Sequence, residues 1–198
     1  MIESKKDYLY YLECDRLALR KTTKRPRYKH DIIWTFERLL RKCEYYENCR
    51  HDIIGRLYGK WLKYRYVCLS QKLGFSIAFN VCGPGLCIEH YGLVIIGGPS
   101  ARVGKNCTIK GGVLIGEKDD DESPIIGDNV LIGYGAVIFG KIKVADNVAI
   151  GANAVVCKDI LTPNVSVAGV PAKVVSQHGS DGFIVKATEI IENKIVFR

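Results

Sequence analysis

No apolar run in this 198-residue chain reaches the ~18 residues of a membrane-crossing helix. Gly, Pro, Asn and Glu interrupt the stretch from Leu73 to Ile96. The N-terminus, with Lys5, Lys6 and Asp7 followed by tyrosines, lacks the apolar segment of a secretory signal. Stable membrane insertion is therefore not expected, and a cytoplasmic location is. No C-x-x-C pair occurs among the eight cysteines, so free, mostly buried thiols are expected rather than disulfides. Cys43, Cys49 and His51 have poor ligand spacing, and no metal is expected. Excess charge is missing from the C-terminal part: residues 1–73 hold 18 Lys and Arg against 9 Asp and Glu, the remainder 11 against 12. A basic region permits contact with polyanions, yet no nucleic-acid-binding motif accompanies it, and nucleic acid is not an expected partner.

What is present is a repeat. From Val103 an aliphatic residue recurs every sixth position: Val103, Ile109 and Ile115, then Ile126, Ile132, Ile138, Val144, Ile150 and Val156. The following residue is usually Gly or Ala, and a small or aliphatic side chain lies four residues after each anchor. A helical period of about 3.6 cannot hold every sixth residue on one face, and strict alternation would not call for glycine beside each anchor. A coil that turns a corner every six residues satisfies both, with three short strands per coil and coils stacked about 4.8 Å apart. The period thus predicts a parallel β-helix; a β-sandwich would need turns at irregular spacing.

Ahead of the repeat, residues 1–73 read as an α-helical region, with helices over 4–20, Ile32 to Tyr45 and Ile53 to Leu73 and a basic linker from Lys21 to His30. Trp34, Phe36, Leu39, Leu40, Leu57, Leu62, Tyr66 and Leu69 form their apolar stripes. Gly74 suits the left-handed end of the last helix. The coil should span 74–178, with residues 117–124 (EKDDDESP in the stretch Glu117 to Pro124) as an excursion from a corner, since charge inside the coil would be buried unpaired. Pro163 and Pro171 end the pattern. Residues 179–198 form a C-terminal extension, a short helix or strand.

The segments GPGLCIEHYGLVIIGG, ARVGKNCTIKGGVLIG, PIIGDNVLIGYGAVIFGKIKV, IGANAVV and AGVPAKVV resemble the serine acetyltransferase branch of the hexapeptide-repeat acyltransferases, over roughly residues 73–175. That resemblance implies a left-handed β-helix assembled as a homotrimer, with acetyl-CoA as co-substrate. It makes His90 in IEHYG the catalytic base: an imidazole, with an ordinary pKa of about 6.5, can take a hydroxyl proton and return it to the CoA thiolate. Gly116 is the implied oxyanion donor. Gly133, Tyr134, Gly135, Gly151, Ala152 and Lys173 are the implied cofactor contacts, Lys173 through a CoA phosphate; each glycine also has a structural reason to sit at a corner.

The departures lie on the acceptor side. The family's aspartate about fifteen residues before the histidine is Phe75 here. Glu89 matches its acidic acceptor contact but, as a strand neighbour of His90, should face away from it. The family's Arg-His pair before proline is replaced by Glu122 and Ser123, leaving Ser123 at the substrate position, and Glu117 replaces a glycine. Asp15 stands where an N-terminal aspartate could contact the acceptor, and reads on its own as an exposed helix carboxylate. These features imply an acetyl-CoA-dependent O-acetyltransferase whose acceptor is a hydroxyl of a sugar, nucleotide-sugar or polysaccharide precursor. L-serine is the alternative acceptor, and a non-catalytic trimeric scaffold the alternative class.

Overall fold

The computed structural model describes residues 1–27, 30–98, 100–117 and 122–196. Three helices come first: α1 (Lys5–Ala18), α2 (Ile32–Cys49) and α3 (Ile53–Leu73). The Ser4 hydroxyl accepts from the Asp7 N–H at the start of α1, and Asp52 accepts from the Gly55 N–H at the start of α3. Gly74 closes α3 at φ 75°, the left-handed cap expected of it. α2 runs four residues beyond its expected end, through Cys49. Trp34, Phe36, Leu40, Leu62 and Tyr66 are buried as the stripes require, but Leu57 is 63% exposed. Among the described residues no helix is long and apolar enough to cross a membrane.

The chain then winds into a β-helix of about five turns. One sheet stacks β1 (Phe75–Ile77), β3 (Val94–Ile96), β6 (Val113–Gly116), β9 (Val137–Phe139) and β12 (Val155–Val156). A second holds β4 (Arg102–Val103), β7 (Ile125–Ile126) and β10 (Lys143–Val144). The third holds β2 (Cys87–Ile88), β5 (Thr108–Ile109), β8 (Leu131–Ile132), β11 (Ala149–Ile150), β13 (Ser166–Ala168) and β14 (Lys173–Ser176). All pairings are parallel except β13 with β14, which folds back antiparallel over the last coil. Every anchor of the six-residue period is at most 3% exposed.

Glycine does only part of the bending. Asn106, Asn129, Asn147 and Asn153, each three residues after an anchor, adopt φ between 54° and 59°, a conformation that asparagine tolerates better than most residues. Three of them join into a ladder, the Asn106 amide donating to Asn129 Oδ1 at 2.9 Å and the Asn129 amide to Asn147 Oδ1 at 3.0 Å. The C-terminal extension returns to the start of the chain as α4 (Ala187–Val196). It is tied there by Thr188, whose N–H donates to Asn106 Oδ1 and whose hydroxyl accepts from the Asn106 amide. Ala187 packs with Cys14, Ala18 and Cys87.

A β-helix has an open edge at its first coil, where backbone groups have no coil above them. Here α1 and α2 supply the missing partners from charged side chains. Arg41, fully buried, donates to the carbonyls of Cys82 (2.8 Å) and Gly83 (2.6 Å). Asp15 accepts from the N–H groups of Gly85 (2.9 Å) and Leu86 (3.0 Å), Glu37 from Ile88 (2.9 Å) and Glu44 from Asn80 (2.8 Å). Arg41 also binds Asp15 at 2.8 Å and Glu44 at 3.1 Å. The exposed Asp15 expected from sequence is thus a buried edge cap, 1% accessible.

Candidate active site

Ile88, Ile109, Ile132 and Ile150 lie in register down the third sheet. The backbone ladder continues past them, from Glu89 N–H to the Ile109 carbonyl, Lys110 to Ile132 and Gly133 to Ile150. His90, Gly111, Tyr134 and Ala152 therefore occupy the same corner in successive coils. A Cβ placed on Gly111 would stand 3.4 Å from His90 Cβ and 3.2 Å from Tyr134 Cε2. Glycine lets the histidine and the tyrosine ring close over one backbone position.

His90 is exposed and lines a groove of about 630 Å³ between this corner, the end of α1 and the first turn of α2. Glu89, Lys110, Asp31, Trp34 and Phe183 share that groove. Glu89 and His90 are both exposed and line the same groove, since β2 ends at Ile88 and strand alternation does not extend to them. Glu89 pairs with Lys110 at 2.6 Å. Asp31 precedes α2 without a side-chain bond to the helix, its carboxylate accepting instead from Lys21 Nζ at 2.5 Å and from the Arg27 N–H at 2.9 Å. The Lys21 hydrogen bond, ahead of the Arg27 N–H, holds its carboxyl down to about 2. Among the described residues no carboxylate is hydrogen-bonded to His90; Asp31 is the acid that the helices add to its groove. Asp31 and Phe183 escaped the sequence pattern, one because it closes a basic linker, the other because it lies in the unassigned extension.

Behind the corner stands Glu37. It is fully buried, its Oε1 accepts from the Ile88 N–H, and its Oε2 has no partner. Burial, and next the Asp15 charge, pushes this carboxyl well above the ordinary range. A raised folded-state pKa favours the fold below the unfolded value of about 4.3, and that contribution is lost as pH rises toward the folded value. Glu37→Gln, which fixes the neutral form, should flatten this decline in urea denaturation measured from about pH 4 to about pH 8; an unchanged slope would show that Glu37 ionises as it does in the unfolded chain.

The remaining candidates divide. Tyr134, 58% exposed, and Ala152 lie in the His90 column, with Gly133, Gly135 and Gly151 beside them. Lys173 is exposed at the start of β14, on the last coil. Gly133 has a packing role of its own, since a Cβ there would stand 2.6 Å from the Ala152 amide nitrogen and 2.7 Å from the Ile150 carbonyl oxygen. Gly133→Ala should therefore lower stability by about 1–3 kcal/mol, read as a lower midpoint in urea; an unchanged midpoint would leave Gly133 free to serve a ligand alone. Gly116 ends β6, a strand length from the corner before Val113, on the order of 10 Å away, so one chain does not bring it to His90. Ser123 is buried, and a Cβ on Gly98 would meet its Oγ at 2.1 Å; it wedges against the coil and does not line the groove. Asp15 caps the edge and is also outside the groove. Within the excursion 117–124, positions 118–121 lie outside the described residues. Among the described residues no cluster of metal-ligating side chains occurs.

No family model matches the chain. It is 42% identical over 138 residues to the serine acetyltransferase of Staphylococcus aureus strain Mu50, a match covering 65% of this chain and 63% of that relative. The chain thus spans less than two thirds of the length of the curated relatives it matches. Among solved structures it is similar to the Neisseria gonorrhoeae serine acetyltransferase in complex with serine, at TM-score 0.65 and 27% identity, covering 87% of this chain and 71% of that one. It is likewise similar to the Brucella abortus serine acetyltransferase in complex with coenzyme A, at TM-score 0.60 and 26% identity, covering 88% and 70%. With its six-residue repeat, its stacked coils and these likenesses, the chain is serine acetyltransferase-like, a hexapeptide-repeat protein folded as a left-handed β-helix.

Proposed function

We propose that the chain is an acetyl-CoA-dependent O-acetyltransferase acting on a hydroxyl of a sugar, nucleotide-sugar or polysaccharide precursor, with His90 as general base. The observation that carries this reading is an exposed histidine on the wall of an open groove, at the head of a corner column that continues through Gly111, Tyr134 and Ala152. His90 takes the acceptor's proton as its oxygen attacks the thioester carbonyl, and returns that proton to the departing CoA thiolate. The pantetheine arm lies along Tyr134, Gly135, Gly151 and Ala152, and Lys173 pairs with a phosphate. The likeness to a coenzyme A complex supports this side of the site. Gly116 serves as oxyanion donor to the His90 of a neighbouring copy, in a homotrimer whose corners meet.

Two features favour a sugar over serine. Glu122 and the buried Ser123 stand where the family's basic pair would hold an amino-acid carboxylate. Tyr91 and Phe183, both largely exposed, line the groove beside His90, and flat aromatic faces suit the apolar face of a sugar ring. Serine remains the second reading, favoured by the likeness to a serine complex. Thiol release from acetyl-CoA, followed with L-serine and with a panel of sugars and nucleotide-sugars, separates them. Sugar-dependent release is expected; serine-dependent release would return the chain to the serine reaction, and absence of CoA binding would make it a scaffold.

A further inference from the structure

The outer face of α3 is apolar and largely exposed, with Trp61 stacked on Tyr58 of the same helix. Ile53, Ile54, Leu57, Trp61, Tyr64 and Val67 are between 47% and 79% exposed. At about 100° per residue the first five fall within one sector of the helix. Arg56 and Lys60 border that sector on one side and Arg65 on the other, Arg65 lying over the Trp61 ring at 4.9 Å. Lys63 and Lys72 complete five basic residues on α3, which carries no acidic one.

Beside the stripe, between α2 and α3, lies a cavity of about 320 Å³ whose lining includes Arg50, His51, Arg56, Lys60 and Lys63. Arg50 is paired with Asp52 and Lys63 with Glu47. Arg56 and Lys60 have no ion pair among the described residues. The helix thus sets a tryptophan-bearing apolar stripe next to two cations with no acid to answer them.

We infer that α3 docks the protein on an anionic lipid bilayer, its apolar stripe entering the headgroup boundary and Arg56 and Lys60 meeting lipid phosphates. A short apolar stripe with cations along its flanks is the pattern of a helix that lies in a membrane interface. The charge also tells against a second copy of this chain as the occupant: antiparallel pairing of two α3 helices would set cation against cation across the contact. Docking of this kind needs no membrane-crossing segment, and it is independent of the acetyl-transfer reading.

The test is co-sedimentation of the full chain with vesicles of phosphatidylcholine alone and of phosphatidylcholine mixed with phosphatidylglycerol. Binding to the anionic vesicles only, weakening as salt rises, is expected. Arg56→Glu with Lys60→Glu should weaken it by about five-fold or more for each cation replaced, and Ile54→Glu with Leu57→Glu should abolish it, while acetyl-CoA binding and the thermal midpoint stay unchanged. Equal binding to both vesicles, or none to the anionic ones, overturns the inference. So does a smaller assembly in the Ile54→Glu, Leu57→Glu variant, which would assign the face to another copy.

Discussion

His90→Ala should reduce acetyl transfer by about 10²- to 10⁴-fold, the range for loss of a positioned general base, and leave acetyl-CoA affinity as it was. His90 is exposed and its Cβ rests on Gly111, so the truncation leaves the coil ladder intact. Its thermodynamic cost should stay within about 0.5 kcal/mol. Thiol release, CoA titration calorimetry and a urea melt on the same sample read the three quantities. Turnover near the parent rate would remove His90 from the chemistry. Loss of CoA binding with turnover would move it from the reaction to the cofactor side.

Asp15→Ala should cost about 3–5 kcal/mol, the range for breaking a buried ion pair from one side. The carboxylate faces donors only: the Arg41 guanidinium and the N–H groups of Gly85 and Leu86. Burial pushes its carboxyl up, against the pull of Arg41 and those N–H groups, but a proton on it would have no acceptor, so the charged form fits the site. Removing it leaves Arg41 short of a partner and two coil amides unsatisfied. The measurement is the urea midpoint and slope, with Arg41→Met and the double variant closing a thermodynamic cycle. A cost below about 1 kcal/mol would mean that water caps the edge as well as the carboxylate does. A raised acceptor KM with unchanged stability would instead restore Asp15 to the substrate side.

The coil was legible because its rule is local: each anchor, its small neighbour and the residue four places on are read within six positions, and the same residues are buried in the fold. The edge cap was not legible, although its trace is present. Trp34, Glu37, Arg41 and Glu44 recur at helical spacing on one face of α2, so three charges share the face of a buried tryptophan. Charged residues at that spacing usually face water, and only the unpaired amides of a distant coil make burial favourable here. Leu57 fails for a simpler reason: at about 100° per residue it stands about 140° from Leu62 and about 180° from Tyr66, on the exposed side of α3. At the site, the histidine motif and the glycine corners could be read off, whereas the groove is assembled from five separated stretches of chain. Asp31, Phe183 and Lys110 reach it through folding over long sequence distances, which no local pattern records.

The column beneath His90 also works as a ruler. Its rungs are set about 4.8 Å apart by backbone pairing, whatever side chains the coils carry. The separation between the histidine at one end and Ala152 at the other is therefore a whole number of rungs. A coil inserted in or deleted from the middle would lengthen or shorten that span by one rung while leaving both end faces, one closed by helices and the other by a hairpin, as they are. Reach along the protein is thereby decoupled from the chemistry at its ends, and can change by counting alone.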